Sequence, residues 1–87
     1  MTENNVAVVT GAGRGIGKAT AKKLSQEGYD VVVNDIDRDV AVETAESIKA
    51  ASTKALPVVA DVSKKEAIDN LVSEVMDVFG QIDVLVN

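Results

Sequence analysis

Val6-Ala7-Val8-Val9-Thr10-Gly11-Ala12-Gly13-Arg14-Gly15-Ile16-Gly17-Lys18 is the stretch from which the architecture follows. Its four leading apolar residues run without interruption, which suits a strand covered on both faces better than a half-exposed one. Four glycines then fall within seven positions, and a helical pattern opens behind them. A strand that turns tightly into a helix N-terminus gathers free backbone N–H groups and the positive end of the helix dipole at one point. Glycines let that backbone approach an anionic group closely and adopt φ > 0. The turn therefore reads as a phosphate cradle, the alternative being a strand-to-helix turn that binds nothing. Spacing separates the known cradles. G-x-G-x-x-G fails, because the last glycine would fall on Ile16 or Lys18. G-x-x-x-x-G-K-[ST] fits Gly17-Lys18 but meets Ala12 and Ala19 where it needs glycine and a hydroxyl. T-G-x-x-x-G-x-G fits, on Thr10, Gly11, Gly15 and Gly17.

Outward from this turn, Val-rich runs alternate with helical patterns. Strands are predicted at Val6–Thr10, Asp30–Asn34, Lys54–Ala60 and Ile82–Asn87. The first helix is predicted from Gly15 to Glu27, with Ile16, Ala19, Thr20 and Leu24 on its apolar face and Gly28 as its stop. The second starts near Asp37 as N-cap and groups Val40, Ala41, Thr44, Ala45 and Ile48. The third has Ser63 and Glu66 as a capping box, an apolar stripe of Ile68, Leu71, Val72, Val75, Met76 and Phe79, and Gly80 as its stop. The order β-α-β-α-β-α-β makes an α/β chain of parallel strands joined by right-handed crossovers. Pro57 inside the third run points to an edge strand. The run Ile82–Asn87 presumes helices on both faces and a further strand beside it. The expectation is an N-terminal portion of a longer protein.

Composition narrows the function. The 87 residues suffice for one small domain or part of one. With 46% hydrophobic residues the chain is too apolar for a disordered tail, and with 2% aromatic its core must be built from Val, Ala, Ile and Leu. Cys and His are both absent, which excludes disulfides, Cys or His metal ligands, Cys nucleophiles and His-based triads. A net charge of −5 argues against nucleic acid and anionic membranes as partners. No apolar run nears the ~18 residues of a membrane span, and the polar start Met1-Thr2-Glu3-Asn4-Asn5 is unlike a signal peptide, so a soluble cytoplasmic protein is expected.

Four signatures in register carry a resemblance. They are the Thr10–Gly17 turn, Asp35 after the second run, Asp61-Val62 after the third, and Asp83-Val84-Leu85-Val86-Asn87. Over its whole length the sequence resembles the N-terminal part of the short-chain dehydrogenase/reductase family. Asn87 resembles the first Asn of that family's N-N-A-G motif. The resemblance implies a Rossmann-type doubly wound sheet in strand order 3-2-1-4. It implies a dinucleotide held by the turn, with Gly11, Gly15 and Gly17 shaping it, Thr10 bracing it through its hydroxyl, and the backbone near Ile16 facing the pyrophosphate. Asp35 stands 24 residues beyond Gly11, near the roughly 20 expected of the acid that takes the ribose hydroxyls. A carboxylate there favours NAD and repels the 2′-phosphate of NADP. Arg14, at a position where a basic residue accompanies NADP use in the family, pulls the other way, but from farther off. NAD is thus the expected cofactor and NADP the lesser alternative. Ile36 resembles the side chain that packs on adenine, Asp61 and Val62 resemble the pair that reads its edge, and Asn87 would border the cofactor. The plain alternatives are a solvated loop acid for Asp35, a helix-starting role for Asp61 and a frayed end for Asn87.

By the same resemblance, catalysis rests on a Ser, a Tyr-x-x-x-Lys pair and an Asn on a later helix. Tyr29 has Val33, not Lys, four residues on, and it precedes the second strand at the edge opposite the ligand. It reads as structural. No catalytic or metal-binding residue is assigned within residues 1–87, and these residues alone are expected to be inactive and to fold poorly. The implied function is the NAD-binding portion of an oxidoreductase that passes hydride between the cofactor and a small-molecule alcohol/ketone pair, as a homo-oligomer when full length. The alternative is a nucleotide-binding module or truncated product without catalysis. A different doubly wound enzyme, such as a methyltransferase, fits Asp61 and Asn87 less well.

Overall fold

The computed structural model describes residues 4–49 and 52–87; the start Met1-Thr2-Glu3 lies outside the described residues. The elements are β1 (Val6–Val9), α1 (Gly15–Gln26), β2 (Asp30–Asp35), α2 (Arg38–Ile48), β3 (Ala55–Val59), α3 (Lys65–Phe79) and β4 (Val84–Val86). All strand pairs are parallel, and the sheet order is β3-β2-β1-β4, as the resemblance implied. Each predicted strand is present with ends moved by one or two residues. Pro57 lies in β3 at the sheet edge, opposite Val33, where a missing N–H costs no ladder bond on the open side. No helix among the described residues is long and apolar enough to cross a membrane.

Two thin cores flank the sheet, because alternate strand residues point to opposite faces. Val6, Val8, Val32 and Val58 pack against Leu71, Val75 and Phe79 of α3. Val9, Val31 and Val33 pack against Ala21 of α1 and Ala45 and Ile48 of α2 on the other face, with half-buried Tyr29 at the margin. All four residues of β1 are fully buried, as their uninterrupted apolarity required. The strand order reverses beside β1, so the glycine turn leaves the sheet where α1 and α3 depart to opposite faces.

The helices correct the sequence reading in three places. On α1 the buried residues are Ala21 and Ser25, whereas Ile16 is 87% exposed and Ala19 is also exposed. Gly17, Ala21 and Ser25 form a stripe of small residues four apart, which lets the helix come close to the sheet. The Ser25 hydroxyl donates to the Ile48 carbonyl at 2.8 Å. The start of α3 is not a Ser63 capping box. Lys64 holds the N-cap position without a side-chain cap, since Ser63 is bound to Asp61. Of the predicted α3 stripe only Leu71, Val75 and Phe79 are buried, and Ile68, Val72 and Met76 stay more than 40% exposed. By contrast, Asp37 caps α2 as expected, accepting from the Val40 N–H at 3.3 Å, and Gly80 closes α3 at φ 76.

Asn34 joins these parts. Its amide nitrogen donates to the carbonyls of Val58 and Ala60, each at 3.1 Å, and its side-chain oxygen accepts from the Gly11 N–H at 3.4 Å. Its own carbonyl accepts from the Ala12 N–H at 2.7 Å. One buried amide thus ties the end of β3 to the glycine turn. Asn34→Leu keeps the branched outline of the side chain but deletes its three hydrogen bonds and leaves the Gly11 N–H without that acceptor. It is expected to cost about 2–3 kcal/mol, read in the full-length protein as a lower urea midpoint at unchanged slope. A change within about 0.5 kcal/mol would mean that the amide is dispensable.

Candidate functional site

The C-terminal ends of β1, β2 and β3 open into a cleft of about 360 Å³ lined by Gly11, Arg14, Asn34, Asp35, Ile36, Ala60, Asp61 and Val62. The glycine turn forms its floor. Gly11 and Gly15 sit at φ 60 and 61, a conformation that other L-residues adopt only under strain. Gly17 is required for a different reason. A Cβ there would collide with the Gly11 carbonyl oxygen and lie 3.0 Å from the Gly11 carbonyl carbon and 3.1 Å from Ala12 Cα. The helix therefore packs on the turn with no room for a methyl group. Arg14 holds the N-cap position of α1 without a side-chain cap, so the first-turn N–H groups are not answered by one. That cradle of glycine backbone and first-turn N–H groups is the environment an anionic phosphate needs.

Asp35, the last residue of β2, is 6% exposed and not the solvated loop acid of the plain alternative. Its Oδ2 accepts from the Gly13 N–H at 3.1 Å and its Oδ1 from the Asp37 N–H at 3.0 Å. A carboxylate has about four acceptor sites, so it retains capacity for further donors from the cleft. Arg14 reaches Asp37 Oδ2 at 3.9 Å across the rim. Both side chains are largely exposed, so the pair holds weakly and leaves Arg14 able to change partner. Ile36, 67% exposed, offers an apolar wall beside Asp35.

Asp61 and Val62 face this wall from the far side of the cleft. Asp61 Oδ1 accepts from the Ser63 hydroxyl at 2.6 Å and the Ser63 N–H at 3.0 Å. The hydroxyl bond first, then the backbone bond, with the Lys64 charge assisting, hold the Asp61 carboxyl below its usual range, against a small opposing effect of burial. A lowered value in the folded state means that this contribution to stability is present above the unfolded-state value. It is lost as the pH falls through the folded one. Asp61 is accordingly an acceptor throughout the neutral range. Ser63→Ala is expected to raise the Asp61 pKa toward its ordinary value, followed by NMR titration of its carboxyl carbon. An unmoved titration would refute this account. Asp61 thus both shapes the turn before α3 and lines the cleft.

Thr10 and Asn87 meet at the other side. The Thr10 hydroxyl lies 3.0 Å from Asn87 Oδ1 and 3.3 Å from the Val86 carbonyl. It braces β1 against β4 and not the glycine turn, a correction that follows from the parallel pairing of Val9 with Val86. Asn87 is therefore tied, not frayed. Together with Val62, Ile68, Val72 and Leu85 they border a second, apolar cleft of about 260 Å³. Ile16 projects into solvent, and only its backbone belongs to the turn.

Every residue assigned from the sequence therefore lies at one end of the sheet. Three were missed: Gly13, Asn34 and Thr44. Asn34 was marked by being polar within an apolar run, and Thr44 by sitting on the apolar stripe of α2. The collected donors, acceptors and apolar walls fit a dinucleotide. A glycine cradle, a buried carboxylate, and the apolar Ile36 opposite Asp61-Val62 are the groups the cleft brings together.

Residues 5–87 match the profile of the family described as short chain dehydrogenase. The chain is 41% identical, over 98% of its length, to (2S)-[(R)-hydroxy(phenyl)methyl]succinyl-CoA dehydrogenase subunit BbsD of Thauera aromatica, of which it covers 34%. It is 42% identical, over 97% of its length, to the 3-oxoacyl-[acyl-carrier-protein] reductase FabG of Staphylococcus epidermidis, of which it covers 35%. Among solved structures, a metagenomic short-chain oxidoreductase in complex with NADP superimposes with a TM-score of 0.87 at 38% identity, over 97% of this chain and 38% of that one. The chain spans about a third of the length of the curated relatives it matches.

Proposed function

The chain belongs to the short chain dehydrogenase family, and from that membership we propose that residues 1–87 are the NAD-binding portion of a single Rossmann-type domain. The whole protein, on this reading, is a cytoplasmic, homo-oligomeric oxidoreductase. It interconverts a small-molecule alcohol and its carbonyl partner. The bound cofactor supplies or accepts the hydride; the residues of this chain bind and orient it. The Gly11–Gly17 turn and the N-terminus of α1 take the pyrophosphate, and Asp35 accepts the ribose hydroxyls. Ile36 covers the base, while Asp61 and the Val62 backbone read its edge. Thr10 and Asn87 border the cofactor from the β4 side. The groups that move the substrate's proton belong to the rest of the protein, so residues 1–87 alone are inactive.

The observation that carries the reading is the buried Asp35 carboxylate at the end of β2, within the cleft that the glycine turn floors. The solved relative holds NADP, so the preference for NAD rests on Asp35 and not on that relative. Calorimetric titration of the full-length protein with NAD and NADP tests it. NAD is expected to bind at least about tenfold tighter, a difference of about 1.4 kcal/mol. Tenfold tighter binding of NADP would overturn the weight given to Asp35 over Arg14. Binding of neither would overturn the cofactor assignment.

A further inference from the structure

We propose that Gly13 and Thr44 form a positioning clamp for the Asp35 carboxylate, so that cofactor preference is set from α2 as well as from β2. The proposal rests on the reading of Asp35 as the ribose acceptor and adds two residues that neither the glycine motif nor the acidic position identifies.

Gly13 is buried and gripped on both sides. Its N–H donates to Asp35 Oδ2 at 3.1 Å, and its carbonyl accepts from Thr44 Oγ1 at 2.9 Å. The two peptides that flank its Cα are thereby fixed, one by the acid and one by the helix. A mid-helix threonine ordinarily returns its hydroxyl to a carbonyl one turn back. Thr44, only 2% exposed, instead sends it 31 residues up the chain. Space is as constrained as hydrogen bonding. A Cβ at position 13 would lie 2.5 Å from Asp35 Oδ2 and 2.9 Å from its Cγ, and would run into the Val40 side chain. Glycine is thus the residue that lets the carboxylate lie against the turn at all, a requirement distinct from the left-handed backbone at Gly11 and Gly15.

The consequence is specific to one end of the cofactor. With the Gly13 and Asp37 N–H groups holding one acceptor site on each oxygen, the carboxylate has a set direction for accepting hydroxyls. A loosened carboxylate accepts the ribose hydroxyls of NAD less well, and it can also turn away from a 2′-phosphate. Releasing the clamp therefore weakens NAD while sparing or helping NADP. General damage to the turn would weaken both alike, since both share the pyrophosphate.

Binding of NAD and NADP to the full-length protein, measured by calorimetry with circular-dichroism melting as a folding check, tests the clamp. Gly13→Ala is the direct variant. Thr44→Val, nearly isosteric, decides the matter if Gly13→Ala does not fold. Thr44→Val is expected to lower the NAD:NADP affinity ratio about fivefold or more, as residues of one hydrogen-bond network do when coupled. Thr44→Ser, which keeps the hydroxyl, should hold the ratio within about twofold. In an Asp35→Ala background Thr44→Val should leave the ratio unmoved. Equal weakening of both cofactors, an unchanged ratio, or an undiminished effect without Asp35 would each overturn the clamp. If Asp35→Ala itself leaves the ratio unchanged, the ribose reading falls and the clamp with it. If Asp35→Ala shifts the ratio and Thr44→Val does not, the clamp alone falls.

Discussion

Replacing Gly17 by alanine is expected to abolish dinucleotide binding and to destabilise the full-length protein by about 3 kcal/mol, the upper part of the range for overpacking. The added Cβ would meet backbone, the Gly11 carbonyl and Ala12 Cα, and not the far end of a movable side chain. Relief requires α1 to retreat from the turn. That retreat takes the first-turn N–H groups away from the Gly11 peptide, which together form the anion cradle. It also lifts Ala21 and Ser25 from the sheet, because they share the Gly17 stripe. Few proteins of this kind have more than about 5–15 kcal/mol of stability in total, so the loss is visible as a lower melting temperature even before ligand is added. Thermal unfolding and NAD titration of Gly17→Ala measure the two effects. Retained stability with wild-type affinity would show that the turn relaxes locally and that close helix packing is not what the site depends on.

Asp35→Ser is expected to lower NAD affinity by about tenfold or more and to bring NADP to parity or better, each tenfold being about 1.4 kcal/mol. On the proposed reading of the site, removing the carboxylate deletes the acceptor for the ribose hydroxyls and the negative charge that a 2′-phosphate must approach. Arg14 then becomes available. Its bond to Asp37 is 3.9 Å long between two exposed side chains, and such a pair yields readily to a phosphate dianion. Serine retains a small acceptor for one of the Gly13 and Asp37 N–H groups that Asp35 now satisfies, which limits the stability loss to the ~1–3 kcal/mol of one unpaired buried donor. The check is the ratio of NAD to NADP dissociation constants in variant and parent. If NADP binding stays as weak as before while NAD is lost, the phosphate is excluded by something other than Asp35.

The exposed face of α3 bears on both experiments. Ile68, Val72 and Met76, with Leu85 at the sheet, leave an apolar surface open, and such surfaces promote self-association. The full-length protein is therefore the right material, since residues 1–87 alone span only about a third of the relatives' length.

What the sequence determined by itself was whatever depends on neighbours along the chain. Uninterrupted apolar runs marked β1 and β2 as fully covered strands. Asp37 and Gly80 announced helix ends, and the spacing of Thr10, Gly11, Gly15 and Gly17 announced the cradle, because capping, φ > 0 and strand burial are set within a few residues. Tertiary structure decided whatever depends on partners far apart. Apolarity favoured Ile16 on α1, but close packing on the sheet selected Gly17, Ala21 and Ser25, since depth of approach is limited by the smallest side chains at the contact. The Thr10 hydroxyl turned to Val86 and Asn87, and Ser63 went to Asp61 instead of capping α3. Asp35 could be placed by counting, yet its burial, its bonds to Gly13 and Asp37, and the hold of Thr44 on Gly13 could not. A hydrogen bond between residues 22 or 31 positions apart leaves no periodic trace in the sequence, because what brings its ends together is the docking of α2 against the end of β2.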